Sequence, residues 1–271
     1  MSRKPGTTRP IEDYALIGST SSAALVHRGG NIEWLCLPRF DSGAMFAALL
    51  GDENNGHWSM HARGKARVTR RYLPGTVVLE TTIHTAKGSA TVTDFMPRPA
   101  PGGAHEVVRI VRGVRGRVAL HTELRIRFHY GEWCPWVERR EGAVYAVAGP
   151  DAVRITSGVP LVNENYASTA DFSVSAGQSI AFTLEWFPSH QKPPITRDAY
   201  SLLARTTAEW CAWSDRCGYD GPYREAVTPL DDWLVQMGMV DLHRTPGGGA
   251  FERRRTPLVD DYRRATARGM P

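Results

Sequence analysis

Between residues 14 and 188 the chain alternates short apolar and polar segments with turn residues. The clearest segment runs from Val118 to Tyr130, where every second side chain except Thr122 is apolar and most of those between are charged or histidine. A period of two places the apolar residues on one face of a β-strand and the polar residues on the other. The segment therefore predicts a strand with one dry face and one wet face, as in an antiparallel sheet.

Three pairs of shorter segments show the same period on either side of residues that favour tight turns. Each pair predicts a β-hairpin, because glycine, proline and aspartate adopt the backbone angles that such turns need. The predicted hairpins are Thr76–Thr85 with Ser89–Phe95 around Lys87-Gly88, Val144–Val147 with Val153–Thr156 around Gly149-Pro150-Asp151, and Phe172–Val174 with Ile180–Phe187 around Gly177-Gln178.

So many strands, with almost no helical period between them, predict an all-β fold. We expect a large antiparallel β-supersandwich, two packed sheets, over residues 10–190. One short apolar turn or helix is predicted inside it, at Ala44–Leu50, ending at Gly51.

A linker region, residues 195–227, is predicted to follow the sandwich and to contain one or two helices. Thr196 or Asp198 would cap the first helix, and apolar side chains then recur at steps of three and four residues. Trp210 and Trp213 lie on this stripe, which continues to Cys217 before Gly218. We expect both tryptophans to pack on a sheet or on a neighbouring domain.

The last segment, residues 228–271, is rich in arginine, glycine and proline and has no apolar period. We expect it to be disordered, because it offers too little apolar surface to pack.

Composition excludes several classes of function. The net charge is +5, but the arginines are spread along strands, so no nucleic-acid partner is expected. No apolar run has the length of a signal peptide or a membrane span, which predicts a soluble, cytoplasmic protein without a membrane partner. The four cysteines form no C-x-x-C motif. His57 and His61 would share a face if they lay on a helix, but the residues between them have the pattern of a strand edge. No metal or other cofactor is therefore expected.

Separated blocks of the chain, among them Ile11–Gly18, Gly30–Ser42 and Arg71–Thr76, resemble, in order, the opening of bacterial glycoside hydrolase family 15, which includes glucoamylases and trehalases. Further blocks extend the resemblance to about residues 11–227. The blocks include Ile11–Gly18, Gly30–Ser42, Phe46–Gly51, Arg71–Thr76, Val92–Pro97, Arg112–Gly116, Pro135–Val137 and Tyr219–Val227.

The resemblance implies a β-supersandwich, then linker helices, then an (α/α)6 barrel that holds the active site. After Val227 the chain departs from the family pattern, and no barrel motif is present. Inverting hydrolysis needs two carboxyl groups about 6.5–9.5 Å apart, and the family takes both from the barrel. We therefore expect a truncated N-terminal structural domain without catalytic residues or activity of its own, such as a frameshift or an eroded gene would produce.

One loop combines side chains that are suited to a sugar. Trp34 offers a stacking surface, Arg39 a bidentate donor and Asp41 an acceptor, which makes these three residues the predicted substrate-binding set. The plainer interpretation is that Trp34 and Phe40 are core residues and that Arg39 and Asp41 tie the loop together.

An alternative function is a carbohydrate-binding or interaction module that docks a separately encoded barrel. Its partners would be an α-glucoside at low affinity, the barrel, or a second copy of the chain. The parent enzyme's substrate, trehalose, a maltooligosaccharide or another glucoside, stays open because the barrel loops would select it.

Overall fold

The structure is a computed structural model that describes residues 9–99 and 103–216. The chain divides into two compact units, Met1–Leu73 with Val77–Trp210, and Pro74–Thr76 with Cys211–Pro271. The predicted disordered tail and the end of the predicted linker region, with Cys217 and Gly218, lie outside the described residues. The proposed domain limits at 10–190 and 195–227 stay predictions.

The first unit is built from fifteen strands whose ladders are all antiparallel in the described residues. Seven strands belong to the first sheet alone: β1 (Tyr14–Gly18), β2 (Ala23–His27), β3 (Ile32–Cys36), β4 (Ala44–Phe46), β5 (His57–Ala62), β13 (Val162–Glu164) and β14 (Ala167–Ser175). Seven belong to the second alone: β6 (Arg67–Tyr72), β7 (Leu79–Thr85), β8 (Gly88–Phe95), β10 (Trp136–Arg140), β11 (Ala143–Ala148), β12 (Asp151–Ser157) and β15 (Ser179–Pro188).

A single long strand, β9 (His105–Arg125), belongs to both sheets. Its first half pairs with β8 and β15 in the second sheet, and its second half pairs with β5 and β14 in the first. The first sheet runs β1-β2-β3-β5-β9-β14-β13 with β4 on β3, and the second runs β6-β7-β8-β9-β15-β12-β11-β10. The predicted all-β supersandwich is confirmed.

The core lies between the two sheets. One continuous cluster of buried apolar side chains joins Ile17, Trp58 and Leu120 of the first sheet to Val92 and Leu184 of the second. The alternation along each strand supplies these inward positions, since successive side chains point to opposite faces.

The helix α1 (Ala199–Ser214) covers part of the outer face of the second sheet. Asp198 caps it, because the Asp198 Oδ2 atom accepts a hydrogen bond from the Ser201 backbone N–H at 2.8 Å. Ala199 and Leu202 pack with Val108 and Ile110 in one apolar cluster. Of the two predicted caps, Asp198 rather than Thr196 makes the contact.

None of the helices in the described ranges is long and apolar enough to span a membrane.

The first two predicted hairpins are confirmed as β7–β8 and β11–β12, but the third is wrong. β14 and β15 do not pair with each other: β14 pairs with β9 in the first sheet and β15 pairs with β9 in the second. The Gly177-Gln178 turn is anchored on Gly113 of β9, with the Gly177 backbone N–H 3.0 Å from the Gly113 carbonyl oxygen. It therefore carries the chain from one sheet to the other.

Three local predictions also need correction. Ala44–Leu50 holds the strand β4 and a turn instead of a helix, because Ala44 and Phe46 pair with β3. β9 ends at Arg125, so Tyr130 is exposed in a turn and not on the dry face. The strand β5, with His57 and His61, lies between β3 and β9 and is not an edge.

Candidate functional site

The predicted sugar loop begins at Trp34, on β3. This side chain is half-buried and packs on a small cluster of Cys36, Ala44 and Ala47. Its ring lies 6.1 Å from the Tyr130 ring, centroid to centroid. Trp34 is therefore largely a packing residue in the described chain.

Arg39 and Asp41 satisfy each other in an exposed, bidentate ion pair, with Nε–Oδ1 and Nη2–Oδ2 distances of 2.8 and 3.0 Å. The hydrogen bonds to Arg39 lower the pKa of Asp41, and the same bonds raise the pKa of Arg39. This geometry ties the loop, as the plainer interpretation expected. That interpretation is wrong for Phe40, which is 53% exposed and not a core residue. Sugar binding by this loop stays a prediction.

A second loop contacts Trp34 through Tyr130, and the sequence did not predict it. Three consecutive residues, His129, Tyr130 and Gly131, have φ angles of 49°, 61° and 103°. Left-handed backbone is costly for residues other than glycine and persists where neighbours hold it in place. Here the His129 ring lies on the Trp133 ring at 3.8 Å between centroids. Gly131 was the one sequence signal for this turn.

An open cleft lies beyond this loop, between the start of β10 and the β13–β14 hairpin. Its volume is about 300 Å³, and Trp136 and Tyr166 line it together with Arg127 and Asn163. Both rings are strongly exposed, at 76% and 73%. The sequence placed Trp136 near two glutamates but could not bring it next to Tyr166, which lies thirty residues further along the chain.

Trp210 and Trp213, the predicted packing residues, are both buried. The Arg216 guanidinium lies 4.0 Å from the centre of the Trp213 ring. These two side chains therefore do not form an exposed apolar stripe. Packing of these residues against a second domain stays a prediction.

The buried carboxylates of the described residues all have arginine partners. The pairs are Glu33 with Arg9, Asp94 with Arg109, Glu106 with Arg197, and Glu185 with Arg154. Burial raises the pKa of Glu106 while the Arg197 charge opposes that shift. No group of three or more potential metal ligands occurs within residues 9–99 and 103–216.

The family of the chain follows from a match over residues 5–181 to the trehalase-like N-terminal domain family. The chain belongs to this family. The match covers most of the fifteen-strand sandwich, and the resemblance stated from the sequence blocks is confirmed.

Relatives of this trehalase-like N-terminal domain include two mycobacterial trehalases. The trehalase of Mycobacterium tuberculosis is 29% identical over 79% of the chain and 35% of its own length. The trehalase of Mycolicibacterium smegmatis is 28% identical over 79% of the chain and 36% of its own. The chain thus spans about a third of the length of these relatives. A bacterial glucoamylase solved in complex with acarbose aligns over 84% of the chain and 37% of its own, at 9% identity and a TM-score of 0.48.

Proposed function

We propose that this trehalase-like domain is a structural domain of a glycoside hydrolase of the trehalase and glucoamylase type, and that it has no hydrolytic activity by itself. The acid and base would come from an (α/α)6 barrel domain outside the described residues. The family match and the two mycobacterial trehalases support the lineage. The substrate of the complete enzyme, trehalose or another α-glucoside, belongs to the same proposal.

The pairing of the buried carboxylates carries the proposal of inactivity. Hydrolysis needs one carboxyl group that can give up a proton and a second that can activate water, both within reach of the substrate. Glu106 and Glu185 lie directly opposite each other on β9 and β15 and could be considered for such a pair. However, Glu106 is 1% exposed and Glu185 is 0% exposed, and each binds an arginine.

A hydrolysis assay tests this proposal. The purified 271-residue chain is incubated with trehalose, maltose or soluble starch, and released glucose is measured against the same chain after heat denaturation. A full-length trehalase from one of the mycobacterial relatives serves as the positive control. We expect no glucose above the denatured control. Glucose release that disappears in Glu106→Gln or Glu185→Gln would overturn the proposal.

The partner of the domain is the second part of the proposal. We expect the domain to bind a catalytic barrel, and the exposed side chains of Tyr130 and Trp133 are candidates for this contact. Co-expression with the barrel segment of a mycobacterial relative, followed by gel filtration, tests the contact. Co-elution that Trp133→Ser weakens is the expected result, and separate elution of the two domains contradicts it.

A further inference from the structure

The cleft between β10 and the β13–β14 hairpin has the size and form of a small-ligand site. Its volume of about 300 Å³ falls at the lower end of the range of ligand pockets, which is roughly 300–1,000 Å³. Leu124 and Ile126, from the end of β9 and just after it, are among the residues that line it, and both are buried. The cleft therefore combines buried apolar residues with an open entrance.

Two aromatic rings line the cleft, and neither is covered by the chain. Trp136 stands at the first position of β10, where it pairs with Val147 on one side only. Tyr166 stands in the two-residue turn between β13 and β14. Single exposed aromatic residues are ordinary, but two that share one concave site offer stacking surfaces to the same ligand.

The turn that presents Tyr166 has an unusual composition. Asn165 and Tyr166 have φ angles of 50° and 59°, the conformation of a hairpin turn that normally takes asparagine followed by glycine. A tyrosine at the second position costs free energy that a glycine would not. The Arg127 guanidinium holds this turn, with Nη1 3.3 Å from the Tyr166 carbonyl oxygen and Cζ 5.9 Å from the ring centre.

Polar groups with unused hydrogen-bonding capacity complete the cleft. The Asn163 Oδ1 atom accepts a hydrogen bond from Ser168 Oγ at 2.8 Å, which leaves its amide N–H groups for a ligand. The Glu164 carboxylate has no ion-pair partner in the part of the chain that the structure describes. Arg127 is buried and donates to two backbone carbonyl groups. The cleft thus offers a carboxylate and amide groups but no exposed cation.

We propose that this cleft binds a neutral sugar in pyranose form, with Trp136 and Tyr166 stacked on the ring and Asn163 and Glu164 bound to its hydroxyl groups. A pyranose ring has an apolar C–H face and a rim of hydroxyl groups, which matches two rings beside a donor and an acceptor. An anionic ligand would meet the Glu164 charge without a free arginine. This inference does not depend on the proposed function, because binding needs no catalytic pair.

Binding is measured by calorimetry and tryptophan fluorescence on the 271-residue chain, with glucose, trehalose, maltose and soluble starch as probes and glycerol as the acyclic control. Sugar concentrations should reach about 10 mM, since a Kd near 1 mM corresponds to only about −4 kcal/mol. The disaccharide and starch arms distinguish a free sugar from the end of a polysaccharide chain. We expect saturable binding of at least one sugar and none of glycerol.

Two variants locate the site. Trp136→Ala and Tyr166→Asn should each weaken binding about tenfold, the loss of one stacking contact. Both positions are exposed, and asparagine tolerates the left-handed backbone at 166, so circular dichroism and melting should match the parent chain. Phe40→Ala, which removes an exposed aromatic side chain from the Trp34–Asp41 loop, is the control and should bind as the parent does.

Three outcomes would overturn the inference. The first is the absence of binding by every sugar at these concentrations. The second is binding that neither Trp136→Ala nor Tyr166→Asn weakens. The third is binding that Phe40→Ala or Arg39→Ala abolishes while the cleft variants keep it, which would place the sugar on the Trp34–Asp41 loop.

Discussion

Arg109 is among the largest fully buried side chains of the sandwich, with 0% exposure. Its guanidinium binds the Asp94 carboxylate through Nε and Nη2, at 2.8 and 3.2 Å, and donates to the carbonyl oxygens of Trp58 and Gly30. It also lies 5.2 Å from the centre of the Trp58 ring. One side chain therefore links strands of both sheets, and every contact is shielded from water.

Removal of the Arg109 charge should destabilise the domain strongly. Arg109→Met leaves the Asp94 carboxylate buried without a counter-ion, which typically costs about 3–5 kcal/mol. The measurement is the free energy of unfolding in urea, with Arg71→Met, which removes an exposed arginine from a pair with Glu80, as the control. A loss no larger for Arg109→Met than for Arg71→Met would contradict this expectation.

His105 should make the stability depend on pH. Burial lowers the pKa of His105 below the ordinary 6.5, so the unfolded chain takes up the proton first as the solution is acidified. The domain therefore keeps its full stability with respect to His105 above about pH 6.5, and it loses stability as the pH drops below that value. His105→Gln should therefore lose less stability than the parent chain between about pH 7.5 and pH 5.

The control for the pH series is His84→Gln, at an exposed position of β7. Comparison of the two variants shows whether a change in the pH curve is specific to His105 or follows from the loss of any histidine. Equal slopes for His105→Gln and the parent would remove His105 as a source of acid sensitivity.

The sequence predicted candidate residues only where they are neighbours in the chain. Arg39 and Asp41 are two residues apart, and their ion pair was foreseen as the plainer interpretation. Trp136 and Tyr166 line the same cleft although thirty residues separate them in the chain. No local sequence pattern encodes this arrangement. Asp94 lies in the segment Val92–Pro97, which resembles the family pattern, but no feature of the sequence indicated that Arg109 would be its partner.

At the scale of elements, the two glycines of β9 mark the passage from one sheet to the other. Val114 is an extra residue between Gly113 and Arg115, which pair with Ala90 and Ser89, so a bulge interrupts the ladder here. Gly116 has a φ of 61°, and a Cβ atom at this residue would lie 2.1 Å from the Lys87 carbonyl oxygen. Glycine is required by backbone angle and by space at once.

Gly116→Ala should lower the free energy of unfolding by more than the strain of an alanine with a positive φ accounts for. Gly142→Ala is the matched control, because Gly142 also has a positive φ, 78°, but no atom within 4 Å of the added Cβ. The control should lose about 1–2 kcal/mol from backbone strain, and Gly116→Ala about 1–3 kcal/mol more from the clash. Urea unfolding of both variants measures the difference, and equal losses would show that the space at residue 116 is not limiting.

The local elements of the fold were more predictable than their pairing. The β7–β8 and β11–β12 hairpins were predicted because a short turn of suitable residues determines both the turn and the partner. The Gly177-Gln178 turn has similar chemistry, yet β14 pairs with the second half of β9 in the first sheet and β15 with its first half in the second sheet. Their partners lie more than forty residues earlier in the chain, so the turn itself carries no information about them.

At the scale of the whole molecule, exposed apolar residues gather along one stretch of the chain. Tyr130, Trp133, Trp136 and Val137 are all exposed within eight residues. Apolar surface of this kind is typical of interaction sites and of self-association. The prediction of a self-associating chain therefore has a definite location, although it stays a prediction.

Light scattering after gel filtration tests self-association. We expect the weight-average mass to rise above the 30.0 kDa of one chain as the protein concentration is increased. Trp136→Ala should lower the mass towards the monomer, whereas Tyr200→Ala, an exposed aromatic residue on α1, should leave it unchanged. A monodisperse monomer at the highest concentration reached would contradict the prediction.

Because β9 belongs to both sheets, it is synthesised well before some of the strands that pair with it. β15, one of its partners, ends at Pro188, roughly 60 residues after β9 itself, so a ribosome needs about 3–12 s to deliver it. During that interval β9 has left the ribosome with one edge open in each layer, and open edges are templates for pairing with the wrong chain. The yield of folded protein in a cell should thus depend on elongation rate and chaperone supply as well as on the stability of the finished sandwich.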